Sequence, residues 1–305
     1  MTSTLSRTST FDRIGTKVNS TGIENILNEA GMNHTISKVP LVTNSGIIIP
    51  DKVATFNEEG RYYGVEGRYY GVVGKDYQPV SNLEAFGVVD YIEDLKVIKA
   101  GETHNGKNFI IGQLPDVNIL GDDYNLHFIM QNSFDGSCGI VGAITPLRIV
   151  CVNQFNISFK EAKSKINIRH SRTAPERIVA AREIWSDIAS YIKGFNAEAE
   201  RYANTWLTAN DVERVIDQIF PTKSDMTDRQ RATVEGNKSL FRQAYLAEDN
   251  INFRRTSWGI INAYADYVTH KPVKNTKNAD ENRFETVTFS PYFNHILAVL
   301  GNYAH

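Results

Sequence analysis

The chain has 305 residues, 41% of them hydrophobic and 22% charged, with a formal net charge of −2 and a pI near 6.4. That length allows one large domain, or a core domain with a helical extension. The near-neutral balance excludes coating of nucleic acid by global charge, so a polyanion partner has to be met by a local patch. Two cysteines, Cys138 and Cys151, cannot build a disulfide framework, and reduced, buried thiols are expected.

Met1 to Gly15 is polar and lacks the apolar stretch of a secretory signal. No window approaches the roughly 18 apolar residues of a membrane span, so a cytosolic protein with no membrane partner is expected. Residues 1–38, rich in Ser, Thr and Asn with one weak amphipathic pattern at Ile23 to Leu27, read as a flexible arm ordered only by a partner. From Val39 short β-type runs begin: Leu41 to Thr43, Ile47 to Ile49, Val53 to Phe56, then a Tyr/Gly/Val segment ending at Tyr77. Ser81-Asn82 caps a short predicted helix, Leu83 to Ile92. The runs Lys96 to Gly101 and Lys107 to Leu114 flank His104-Asn105-Gly106, a strong hairpin signal. Further strands are predicted at Tyr124 to Asn132, Ser137 to Ile144 and Leu147 to Phe159, with turns at Asp135-Gly136 and Thr145-Pro146.

After about Ala174 the apolar period becomes helical. One long helix is expected from Pro175 to Trp206, then helices at Ala209 to Ile219, Asp228 to Ala247, Thr256 to Val268 and Pro291 to Leu300, with Lys271 to Arg283 as a polar loop. The fold class expected is α+β: a twisted antiparallel sheet core with one short helix over residues 39–173, followed by a mostly helical region over 174–305 that packs on it.

The sequence GRYYGV at Gly60 to Val65 recurs at Gly67 to Val72, an offset of seven. An odd offset in one strand puts the two copies on opposite faces, so both cannot fill the same core slots. One reading is a short duplication housed in a lengthened hairpin tip or bulge; the other is a stacking surface built from Tyr62, Tyr63, Tyr69 and Tyr70 beside Arg61 and Arg68.

The local excess of positive charge lies where the last β run hands over to the first long helix. Arg148, Lys160, Lys163, Lys165, Arg169, Arg172, Arg177 and Arg182 face only Glu161 and Glu176 across that stretch. Arginine suits bidentate phosphate contacts, so a phosphate-tracking groove is one reading and a merely solvated helix approach the other. A second set, Arg229, Arg231, Lys238, Arg242, Arg254 and Arg255, precedes Trp258, read as a core anchor. The seven histidines are scattered, and no phosphate-binding loop, dinucleotide fingerprint or nucleophile elbow is present, so neither a metal nor a cofactor is expected.

Three separated motifs carry a family resemblance: Gly71 to Val80 with Asn82, Ala85 and Phe86; Thr145 to Asn153; and Thr256-Ser257-Trp258-Gly259 with Asn262, Ala263 and Tyr267. Over roughly Val39 to Leu300 the chain resembles the phage/plasmid-like family of unknown function, encoded by bacteriophages and mobile plasmids. That resemblance implies a role in DNA replication, recombination or interference with host defence, in the cytoplasm of a bacterial host. The order helix, hairpin, strands and long helix is also distantly similar to single-strand annealing proteins, an analogy of topology alone. The expectation is a non-catalytic, homo-oligomeric protein that binds nucleic acid, single-stranded DNA favoured. The alternatives are an interaction module for a host protein or virion component, and an enzyme with a site between sheet and helices.

Overall fold

Apolar residues fill both faces of two adjacent strands at the centre of the protein, and everything else is arranged to cover those faces. A computed structural model describes residues 10–62, 65–148, 153–154, 165–271, 277–289 and 292–303. The first elements are β1 (Thr16–Lys17), α1 (Ile23–Glu29), β2 (Ser37–Val42), β3 (Ile48–Tyr62), β4 (Val65–Gly74) and α2 (Asn82–Phe86). The sheet core follows as β5 (Lys96–Glu102), β6 (Lys107–Gln113), β7 (Val117–Ile119), β8 (Asp122–Ser133), β9 (Ile140–Arg148), β10 (Asn153–Gln154) and β11 (Lys165–Ile168). The helical half is α3 (Ala174–Ser186), α4 (Ile188–Ala203), α5 (Ala209–Ile219), α6 (Asp228–Tyr245), α7 (Ser257–His270), α8 (Ala279–Phe289) and α9 (Tyr292–Gly301). The protein is α+β, an antiparallel sheet followed by a mostly helical half.

The large sheet runs β1-β5-β6-β8-β9-β10, with β7 on β8 and β11 on β9, all antiparallel. Ile110, Phe128, Met130 and Ile144 point to the face covered by the helices, where Phe86, Ile178, Phe195 and the fully buried Trp258 complete the main core. Phe109, Ile111, Ile129 and Leu147 point the other way and meet Phe11, Ile14 and Phe284. Burying each such side chain contributes about 1.5–3 kcal/mol. The smaller sheet, β2-β3-β4, joins the large one through Thr55, whose hydroxyl donates to Phe134 O at 2.6 Å, and Tyr77, whose hydroxyl donates to Ser133 O at 3.0 Å.

A buried asparagine triad ties the parts together. Asn82 Nδ2 donates to Met32 O and to Asn108 Oδ1, while Asn132 Nδ2 donates to Val80 O and to Asn82 Oδ1, all within 3.0–3.1 Å. Their side chains are essentially inaccessible, so each unmade bond would cost about 1–3 kcal/mol.

Four expectations are corrected. From Thr10 the supposed arm is built into the core: Phe11, Ile14, Val18, Ile23, Leu27 and Met32 are buried, and the Lys99 ammonium donates to Phe11 O and Ile14 O. Spread singly over some twenty residues, those apolar groups show little period. The expected turn at Thr145-Pro146 is instead mid-strand in β9, where Pro146 faces Leu126. On its other side the β10 pairing ends at Leu147 and the β11 pairing begins at Ala143, so no ladder bond needs the missing N–H. The long helix is broken at Asp187, whose carboxylate accepts from Ser190 N and starts α4. The expected polar loop runs into α8, which docks through the buried Phe284, through the Asp280–Arg13 and Glu285–Lys107 ion pairs, and through Glu281, which accepts from His104 N.

Helix α7 is buried almost along its whole length, and Gly259 is the reason it can lie so close to its neighbour: a Cβ there would stand 2.1 Å from Phe253 O. Gly236, inside α6, has open space around it. Gly259→Ala should therefore cost about 1–3 kcal/mol in urea denaturation, and Gly236→Ala should stabilise by about 0.5–1 kcal/mol.

Candidate functional site

The loop between β8 and β9 is shaped by side chains close to it in sequence. Ser133, fully buried, donates through Oγ to Cys138 O at 2.8 Å and accepts from Cys138 N at 3.2 Å. Asp135 Oδ1 accepts from Ser137 N at 2.8 Å, an Asx turn, and Gly136 takes a positive φ of 76°. Gly139 lets the end of β11 cross closely, since a Cβ there would stand 2.4 Å from Ile168 O. The chain leaving β4 then lays Tyr77 across the opening. The result is a cleft of about 400 Å³ lined by Tyr77, Gly136 to Gly139, Asn167, Arg169 and His170.

Most of the cleft is polar but uncharged at neutral pH. Burial holds the Tyr77 phenol well above its ordinary range, with the Asp135 carboxylate adding to the effect. Burial likewise raises the Cys138 thiol and pushes His170 down to about 4, against weaker opposing pulls from the Gln78 backbone and Asp135. The neutral imidazole lies beside the Tyr77 ring, centroids 5.0 Å apart and tilted 36°. Arg169 is the cation at the wall, and Asp135 is the nearby acid. With a thiol, phenol and imidazole all neutral, the cleft offers ring faces and hydrogen bonds for a planar polar group, and one guanidinium for a phosphate.

The structure separates the basic residues that the sequence groups together. Arg169, Arg172 and Arg177 are exposed and close in sequence, at the end of β11, in the following turn and in the opening of α3. Arg182 is half-buried with its guanidinium 4.0 Å from the centre of the Tyr91 ring, and Lys165 donates to Phe289 O at the end of α8. Both of these cations support packing. Arg148 ends β9 opposite Tyr124 and Asn153, and Lys160 and Lys163 lie outside the described residues. In the second basic set, Lys238 pairs with Asp217 and Glu235, Arg242 with Glu213, and Arg231 and Arg254 cap backbone carbonyls.

The tyrosine repeat occupies the β3–β4 hairpin, where Arg61 stands opposite both Gly67 and Glu66, a bulge. Tyr70 is no open stacking platform. Its ring packs edge-on against Phe134 at 5.1 Å, and its hydroxyl meets His34 Nε2 at 3.0 Å. Arg68 is held by both carboxylate oxygens of Glu102. Tyr69 is 48% exposed; Tyr62 ends β3, and Tyr63 lies outside the described residues. Sequence reasoning missed the lining contributed by Tyr77, Asn167 and His170, which are distant in sequence and signal nothing by spacing. Among the described residues no three His, Cys, Asp or Glu side chains converge on a metal position, and no helix is long and apolar enough to cross a membrane.

The unfolded chain protonates His170 near 6.5, whereas the folded chain resists until about 4, so acidification between those values favours unfolding. Glu102, raised to about 7 chiefly by burial, acts in the opposite sense: the folded chain holds its proton more tightly. Comparing His170→Asn with the unaltered protein cancels the Glu102 contribution. The variant should lose less stability between pH 7 and pH 5 in urea titrations; an equal loss would place the His170 pKa near its ordinary value.

No curated protein and no solved structure matches the chain. The family described as a domain of unknown function (DUF932) matches residues 69–287, which takes in all three motifs, the cleft and the three exposed arginines. The chain belongs to that family.

Proposed function

We propose that the protein binds single-stranded nucleic acid, DNA in preference, without turnover chemistry, as a recombination or annealing factor of phage or plasmid type acting in the bacterial cytoplasm. The observation that carries this reading is the set Arg169, Arg172 and Arg177, exposed within nine residues and accompanied between Lys165 and Arg182 by one acid, Glu176. Guanidinium groups at that spacing along a strand end, turn and helix start suit successive phosphates of a flexible backbone. The adjoining cleft suits a base, which can lie against the Tyr77 and His170 rings in a wall whose charged side chain is Arg169. A duplex, stiff and with its bases stacked inward, gains less from such a cleft.

Fluorescence anisotropy with a labelled single-stranded oligonucleotide tests it. Three phosphate contacts correspond to a slope of roughly −2 in log K against log salt. Charge reversal at Arg169 and Arg172 should flatten that slope and remove most of the affinity, while reversal at Arg229, an exposed arginine on α6, should change little. Salt-independent binding, or no binding at low salt, would contradict the reading.

A second reading, an interaction module for another protein, is favoured by one observation: apolar side chains stand exposed over β2, β3 and the tip between them. That surface shares no residue with the arginine set, so substitutions can separate the two readings.

A further inference from the structure

We infer that Trp206 and Arg255 form a second contact for single-stranded nucleic acid, in which a base stacks on the indole and its phosphate meets the guanidinium. The inference rests on the reading of the chain as a strand binder and adds a site that includes neither the arginine set nor the cleft. Two segments distant in sequence build it. Trp206, in the link between α4 and α5, stands opposite Thr256 in an antiparallel bridge, with Leu207 N donating to Arg255 O at 2.8 Å and Ser257 N to Thr205 O at 2.9 Å. The Tyr245 hydroxyl accepts from Arg255 N at 2.9 Å, and the neighbouring Arg254 spends its guanidinium on Leu246 O and Ala247 O. The backbone is thus held from several sides, while the Trp206 and Arg255 side chains stay in solvent.

The chemistry of the pair selects the occupant. Trp206 is 65% exposed, whereas Trp258 is fully buried, the usual fate of so large an apolar ring. The Arg255 guanidinium lies 5.6 Å from the centre of the Trp206 ring, within reach of cation–π attraction, and at that exposure the indole keeps a face open. Arg201, Arg214 and Arg242 of the same half are each neutralised by a carboxylate; among the described residues none is paired with Arg255. Arg255 also holds a φ of 64°, a left-handed conformation that strains any residue with a β-carbon and that glycine adopts freely. An indole alone would suit any apolar partner. An indole beside an unneutralised guanidinium suits a planar ring that carries a negative charge, and each nucleotide of a single strand offers one. In a duplex the bases are already stacked on each other.

Tryptophan emission of the full chain, titrated with oligothymidine and with an abasic oligonucleotide of equal length, tests the contact. Oligothymidine should quench the unaltered protein. In Trp206→Leu that quench should vanish and the affinity read by anisotropy should fall about five- to 150-fold, the range for loss of one stacked base. Trp206→Phe should keep most of the affinity, and the abasic strand should bind the unaltered protein and Trp206→Leu alike. Should Trp206→Leu misfold, Arg255→Gly gives the independent reading: with the strain relieved the urea midpoint should be no lower, while the salt slope shrinks by about 0.7 for one lost phosphate contact. Equal quench and affinity in the unaltered protein and Trp206→Leu would overturn the inference and leave the reading from Arg169, Arg172 and Arg177 standing. No binding of either strand would overturn both. A Trp206 quench with affinity unchanged by charge reversal at Arg169 and Arg172 would support the stacking contact and overturn the arginine set alone.

Discussion

The buried triad Asn82, Asn108 and Asn132 is the constraint on which the remaining arrangement rests. Through side-chain amides it fixes the start of α2 against β6 and β8, and through Met32 O and Val80 O it fixes two stretches of irregular chain to the same point. With water excluded, those amides have no alternative partners, so the relative placement of N-terminal segment, helix and sheet is set in a way that apolar packing alone would leave loose. Asn132 is followed by Ser133, and that serine holds both the β8–β9 loop and Tyr77. The geometry of the cleft is thus inherited, one residue along, from the asparagine network.

A sheet with apolar residues on both faces has to be covered twice. Helices α3, α4 and α7 cover one face; the other is covered by the short turn of helix at Thr10–Arg13 together with α8. This second cover is thin and is pinned mainly by polar contacts: Lys99 at the carbonyls of Phe11 and Ile14, and the His104–Glu281 and Lys107–Glu285 pairs. The division also accounts for the unequal fates of the basic residues. Lys165 and Arg182 sit where covering elements meet the sheet and are drawn into packing, while Arg169, Arg172 and Arg177 leave the sheet toward solvent.

Much of the fold is legible from residue order. Gly106 in the Asn-Gly turn, with φ of 77°, sets the β5–β6 hairpin, and the reciprocal caps Thr208–Asp211 and Thr227–Gln230 begin α5 and α6 close to where the apolar period starts. Most of the losses share one physical cause: interactions between residues distant in sequence leave no period behind. Asp280 and Glu281 fall in the expected polar loop, yet each holds a partner more than 170 residues away, as does Glu285. The same holds at the site. The exposed arginines are visible as composition, whereas the pairing of Tyr77 with His170 and the demotion of Tyr70 to a packing role depend on which strands meet. The duplication spans the β3–β4 hairpin, whose register shifts at Arg61, so the two copies do not share one unbroken strand.

Hydrogen exchange of the full chain, with and without a saturating single-stranded oligothymidine, tests the central claim most directly, because it reports where the ligand sits as well as whether it binds. The account predicts slowed exchange over Asn167 to Ile178 and over the Gly136–Gly139 loop, with α5 and α6 unchanged. Saturation with no change at Asn167 to Ile178, or protection confined to the helical half, would contradict it.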